Sequence, residues 1–368
     1  HFQVPMFSSQ PYWQKALGRI LHIACFWIHL CAGARKSSGS VNIYAAGSGL
    51  DMLSQAATVK EIMEMTPIEN PHLLYLGTAT YDDPEPMKKQ TQGFSDAGCT
   101  VESLNIAVSS PSTAALKAAF ERAHIILASG GNTLYARDRW VKLGIDNMVK
   151  QAMENGTVLC GGSAGGILWF DGGHSDSMEA SSYKNPPGPF LNPKMTSEEM
   201  SAWAYIRVPG ISVLPGLFCP HYDVTEGNGL LRSSDFTSLL QRHLGEYGIG
   251  VDNWAAIMIT ADSYKIISRQ GKPGSVDANG SFTANNTLGH PGAWKLEIDP
   301  KSGALLRTIV PNSGKVRDLM KPARFIVDSN MLKVARRQNP DDGIPPSRSN
   351  KSSEFHQLMI RTGYRFGN

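Results

Sequence analysis

The sequence predicts an α/β fold in which a mostly parallel β-sheet is covered by helices on both sides. Three observations carry this. Short, predominantly apolar runs at 41–46, 72–76, 125–128 and 157–160 lack the alternation of a half-exposed strand, which is the pattern of strands buried on both faces. Segments with helical spacing separate these runs. Each run then ends in small residues: Gly47-Ser48-Gly49, Gly77-Thr78, Gly130-Gly131-Asn132 and 161–166. Open sheets of this kind bind ligands at the carboxyl ends of their strands, so these four turns mark where a site is expected.

Taken in order, a Ser/Gly-rich break at 36–40 precedes the first strand. A helix is expected over 85–97, a short strand over 100–104, and a helix over 112–122 started by Ser112 and spaced by Ala114, Leu116, Ala119 and Phe120. The stretch 133–154 reads as one long helix stopped by Gly156. Residues 164–170 continue helically after the glycine-rich turn at 161–163. Beyond this the pattern is less regular. The Gly, Pro and Ser content of 172–197 suggests a long surface excursion. Strands are expected at 212–217 and 255–260, a helix at 235–244, and a hairpin-rich elaboration at 271–303. The segment 339–353, rich in Pro, Asp, Ser and Asn, has the composition of a disordered tail. The expected organisation is therefore a leading segment (1–40), a hydrolase domain (41–338) and a tail (339–368).

The 368 residues are 41% hydrophobic and 18% charged, with a net charge of +3. So small and dispersed a charge gives no footprint for nucleic acid. The five cysteines, Cys25, Cys31, Cys99, Cys160 and Cys219, form no CxxC pair or Cys/His cluster, so neither a metal nor another cofactor is expected. Lys15 and Arg19 precede the apolar run 20–30, and Ala32-Gly33-Ala34 follows it. That is the outline of a secretory signal over 6–34, too short for stable membrane insertion. Secretion is expected if it acts as one, and a cytoplasmic location otherwise. Asn155, Asn279, Asn285 and Asn350 each begin an N-x-S/T sequon.

Gly161-Gly162-Ser163-Ala164-Gly165 matches G-x-S-x-G. A serine on a sharp, strained turn needs small neighbours so that strand and helix can pack while the hydroxyl stays exposed. Ser163 is thus the candidate nucleophile, the Ala164 amide a natural oxyanion donor, and Gly131 on the neighbouring turn a second. No Lys follows the glycines as in a P-loop, and no G-x-G-x-x-G follows the first strand. The serine needs a base. Of the histidines after it, His174 lies in a Gly/Ser-rich stretch, whereas His221 follows the strand expected at 212–217 in Cys219-Pro220-His221-Tyr222-Asp223. Asp252-Asn253, just before the strand at 255–260, is best placed to orient an imidazole.

These segments in series, with Leu214-Pro215-Gly216, Trp169-Phe170 and Ser175-Asp176-Ser177, resemble the peptidase E and cyanophycinase family of serine peptidases over about 41–267. The resemblance implies a three-layer αβα fold like that of class I glutamine amidotransferases. It further implies Ser163 as nucleophile, His221 as base, the Gly131 and Ala164 amides as oxyanion hole, and removal of an amino-terminal aspartate from short peptides. The family's acidic third member falls on Asn253. Asn can orient a histidine but supplies no charge, so an acid placed there is expected to raise turnover, unless the adjacent Asp252 takes the role.

The expected partner is a small peptide, with room for a homodimer. An acidic first residue would need a cation, for which Arg232 and then Arg242 are candidates, with Asn132 as a further substrate-binding residue. Two other readings stand beside the dipeptidase-like one. One is a weakened or inactive peptidase-fold binding protein; the other is a different amidase or esterase.

Overall fold

The computed structural model describes residues 41–182 and 203–320. The signal-like segment 6–34, the tail 339–368 and the Asn350 sequon lie outside the described residues. The order of elements begins β1 (Asn42–Ala46), α1 (Leu50–Leu53), α2 (Ala56–Met63), β2 (His72–Leu76), α3 (Pro84–Asp96), β3 (Thr100–Ser103), α4 (Thr113–Arg122) and β4 (Ile125–Ala128). It continues α5 (Thr133–Leu143), α6 (Ile145–Glu154), β5 (Val158–Gly162), α7 (Ala164–Ile167), β6 (Phe170–Ser175), β7 (Ile206–Pro209), β8 (Leu214–Cys219) and α8 (Arg232–Arg242). Then follow β9 (Gly248–Val251), β10 (Ala255–Thr260), β11 (Ser263–Ser268), β12 (Ala293–Ile298), β13 (Leu305–Ile309), β14 (Ser313–Lys315) and α9 (Val316–Leu319).

The expected sheet is present with strand order β14-β11-β10-β1-β5-β4-β2-β3. Strands β1, β5, β4, β2 and β3 run parallel, while β10 is antiparallel to β1 and begins an antiparallel edge. Successive side chains of a strand point to opposite faces, and both faces are apolar here. Ile43, Ala45, Leu74, Leu76, Ile126 and Leu159 join one core with Leu116, Phe120, Trp140 and Val149 of α4 to α6. Tyr44, Ala46, Leu73, Tyr75, Leu127 and Cys160 join another with Met52, Val59, Ile62 and Phe94 of α1 to α3. Helices, sheet and helices form the three αβα layers.

The sequence reading missed a second sheet of order β13-β12-β9-β8-β6-β7. Its Phe170, Phe218, Ile249 and Val251 pack into the core that also holds α4 to α6, and its Leu217, Cys219 and Leu296 pack against Phe236 and Leu240 of α8. The supposed excursion at 172–197 therefore begins as a buried strand, since β6 pairs with both β7 and β8. This strand also ends the expected 164–170 helix after Ile167. The long helix at 133–154 is two helices, because Gly144 adopts left-handed backbone at φ 71° and caps α5.

Candidate active site

The site assembles where the parallel strands end. Ser163 joins β5 to α7 with φ 53° and ψ −121°, a conformation that costs a non-glycine residue about 1–3 kcal/mol and clusters at functional sites. The surrounding glycines allow it: a Cβ on Gly165 would lie 2.1 Å from the Ala128 carbonyl oxygen. The Ser163 N–H donates to the Ala46 carbonyl at 3.2 Å, tying the turn to β1. Ala164 is the first residue of α7, where amides have no partner within the helix. Because α7 has only four residues, any oxyanion stabilisation rests on local amides rather than on a long helix dipole.

A cavity of about 610 Å³ opens at this edge, lined by Ser163, His221, Gly130, Gly131, the turn residues Ser48 and Gly49, and Leu50 and Asp51 at the start of α1. Gly131 has φ 117°, and a Cβ there would sit 2.4 Å from the Ala79 carbonyl oxygen. From α3 and the segment before it the cavity receives Asp83, Glu85 and Lys89. His221 follows β8 with a positive φ of 49°, and its N–H donates to the Gly47 carbonyl at 3.1 Å. The second sheet thus delivers its histidine to the end of the first.

The His221 imidazole Nδ1 lies 2.6 Å from Asn253 Oδ1. Asn253 is held from two sides: its N–H donates to Asp223 Oδ1 at 2.7 Å, and its Nδ2 donates to Asp51 Oδ2 at 2.9 Å. Burial, and after it the Arg232 cation, hold His221 below the usual histidine range, against Glu226 and Asp176. Among the described residues, no group of three or more His, Cys, Asp or Glu is arranged to hold a metal ion.

Peptidase family S51 matches the chain over residues 43–267, which includes every element of this site. The chain belongs to that family. It is a serine-type peptidase with an αβα fold. The S51 chain is 28% identical over 260 residues to the G2/mitotic-specific cyclin-1 of Trypanosoma brucei brucei, covering 62% of this chain and 77% of that protein. It is 27% identical over 182 residues to the uncharacterized peptidase YgaJ of Bacillus subtilis, covering 49% and 68%. Among solved structures it resembles a peptidase from an acI-B1 Actinobacterium at 15% identity and a TM-score of 0.48, over 76% of this chain and 98% of that one.

Several residues singled out in the S51 sequence stand elsewhere. Asp252 does not reach His221: its carboxylate accepts from Ser275 N and Oγ and from Gly292 N at 2.7–2.9 Å. Burial and the neighbouring Asp223 push that carboxyl up to about 8. Adjacent residues point to opposite sides here, so Asn253 takes the histidine. Arg232 is fully buried and does not line the cavity. Its guanidinium bonds Asp176 at 3.1 Å, Glu226 at 3.2 Å and the His174 carbonyl at 2.8 Å. Arg242 ends α8 and is likewise absent from the cavity wall. Asn132 caps α5 through Tyr135 N, and its Nδ2 donates to the Ser177 carbonyl and Ser182 Oγ. Asp252, Arg232 and Asn132 thus spend their polar atoms on contacts within the fold. His174 sits in β6, not in a loop, with Nε2 2.7 Å from Asp235 and its ring stacked on Tyr205.

Four charged residues that sequence reasoning did not select do reach the site, Asp51, Asp83, Glu85 and Lys89. Asp51 follows the Gly47-Ser48-Gly49 turn, which did mark the strand end, but nothing local distinguishes any of these side chains from a solvated surface charge.

Proposed function

We propose that this peptidase cleaves short peptides through an acyl-enzyme on Ser163, with His221 as base and Asn253 as its orienting partner. One observation carries the reading: a serine on a strained strand-to-helix turn shares a cavity with a histidine whose Nδ1 is already engaged. With Nδ1–H donating to Asn253, Nε2 is left as the acceptor a base requires. His221 takes the Oγ proton as Oγ attacks the scissile carbonyl carbon. The resulting oxyanion is received by the Gly131 and Ala164 amides. The proton then passes to the leaving amine as the C–N bond breaks, and water repeats the sequence to release the acid.

A cavity of about 610 Å³ suits a few residues of peptide. A free amino terminus would meet Asp83 and Glu85, and an acidic first side chain would meet Lys89. The selectivity such exposed charges supply is small. Aspartate is therefore read as one tolerated first residue among several.

Labelling with a fluorophosphonate probe tests the nucleophile. Wild type should label and Ser163→Ala should not, while melting at the same temperature; equal labelling of the two would refute the assignment. A panel of Asp-X, Glu-X, Ala-X and amino-blocked peptides tests the substrate class, and turnover of the blocked peptides alone would move the reading to another amidase.

A further inference from the structure

Asn253 can face His221 in two ways, and only one is useful. If its carbonyl oxygen faces Nδ1, the imidazole must carry its proton there and leave Nε2 free. If its NH₂ faces Nδ1, the proton is driven to Nε2 and the base is lost. Nothing on the His221 side chooses between the two, because a neutral imidazole can donate or accept at either nitrogen.

The choice is made on the other side of Asn253. Asp51 Oδ2 lies 2.9 Å from Asn253 Nδ2, and an ionised carboxylate can only accept. The amide NH₂ must therefore point at Asp51, which turns Oδ1 to His221 Nδ1 at 2.6 Å. We infer that Asp51 is a positioning residue of the catalytic machinery, acting through Asn253 to fix the tautomer of His221 and to supply the negative charge that Asn253 lacks. This rests on the catalytic reading above.

The placement of Asp51 is built in. Ser48 Oγ accepts the Asp51 N–H at 3.2 Å. Gly47 bonds both neighbouring segments: its N–H donates to the Ala255 carbonyl at the start of β10, and its carbonyl accepts from the His221 N–H. One glycine-led turn thus anchors His221 and leads into the helix that carries Asp51. Around this chain of bonds stand Arg232, Glu226 and Asp176 near His221, Asp223 on the Asn253 N–H, and Asp83, Glu85 and Lys89 elsewhere on the cavity wall. Among the described residues, Asp51 is the carboxylate bonded to the Asn253 side chain.

The test uses four proteins: wild type, Asp51→Glu, Asp51→Asn and Asp51→Ala. The readouts are the pH-dependent rate of fluorophosphonate labelling at Ser163 and ¹⁵N NMR of the His221 ring, assigned with His221→Gln. A histidine in the wrong tautomer costs a serine triad about 10⁴-fold in kcat. Asp51→Ala should lose about 10²- to 10⁴-fold in labelling rate, with the His221 proton moving from Nδ1 toward Nε2. Asp51→Asn, which can donate as well as accept, should fall between, and Asp51→Glu should recover part of the rate. Peptide hydrolysis should lose kcat with little change in KM. An Asp51→Ala protein that keeps both the wild-type rate and the Nδ1–H tautomer would overturn the inference. Should wild type itself fail to label, the hydrolase reading falls, and the NMR comparison still decides whether Asp51 sets the tautomer. If Asp51→Ala does not fold, the same comparison on the near-isosteric Asp51→Asn decides it.

Discussion

A Cβ built on Gly47 would lie 1.9 Å from the carbonyl oxygen of Asp252, so the loop after β1 and the loop before β10 touch backbone to backbone. That contact sets Asp51 against Asn253 and Gly47 against His221. Gly47→Ala must push the two loops apart, because the obstructing atom is main chain and cannot rotate away. The expected result is a loss of labelling at Ser163 of at least about 10²-fold, since misplacement by 1 Å costs that much in catalysis. Kinetics on purified, folded Gly47→Ala checks it; wild-type rates would mean that the loops adjust freely.

His221 and His174 should separate activity from stability. His221→Ala should abolish hydrolysis with a small change in melting temperature, whereas His174→Ala should chiefly destabilise. Burial holds His174 down at about 4, below its unfolded value of about 6.5. Below pH 6.5 the unfolded chain then binds more protons than the folded one. The stability that neutral His174 contributes is complete above that pH and lost as pH falls toward 4, by about 3 kcal/mol. Urea unfolding at pH 7.5, 6 and 5 should show this slope in wild type and a shallower one in His174→Gln; identical slopes would assign the acid sensitivity to other groups.

Arg232 should be a stability residue and not a reader of substrate. Arg232→Met leaves Asp176 and Glu226 facing each other without their cation, and breaking a buried pair of this kind costs about 3–5 kcal/mol. The discriminating measurement is the ratio of Asp-X to Ala-X turnover, which should not change even as the melting temperature drops. A selective loss of Asp-X cleavage would restore Arg232 to substrate binding.

Asn253→Asp is expected to do less than the sequence alone suggests. Asn253 Nδ2 lies 2.9 Å from Asp51, so the new carboxylate meets an existing one, and two carboxylates at that distance share a proton or repel. The double variant Asn253→Asp with Asp51→Asn restores a donor to that contact and places the charge on His221. It should exceed the single variant in kcat. It should also move the acid limb upward, because wild-type His221 is held below the usual histidine range and a carboxylate stabilises its cation. A pH–rate profile for the three proteins checks both, and a single variant faster than the double would refute the role given to Asp51.

By itself the sequence determined the strand-and-turn design and the position of Ser163. Apolar periodicity and obligatory glycines are local: Gly165 has to be glycine wherever a strand meets a helix this closely, and β4 and β10 fall on the expected residues. His221 and Asn253 were legible because each sits beside a recognisable strand. The second sheet was not, because β6 and β9 are rich in glycine and derive their order from pairing with distant strands rather than from their own propensity. Tertiary structure alone decided which charges matter. An arginine reads the same in sequence whether it faces a cavity or is buried between Asp176 and Glu226, and Asp51 stands 202 residues from the Asn253 amide it orients. Hydrogen-bond partners and burial belong to the packed chain, and no local pattern encodes them.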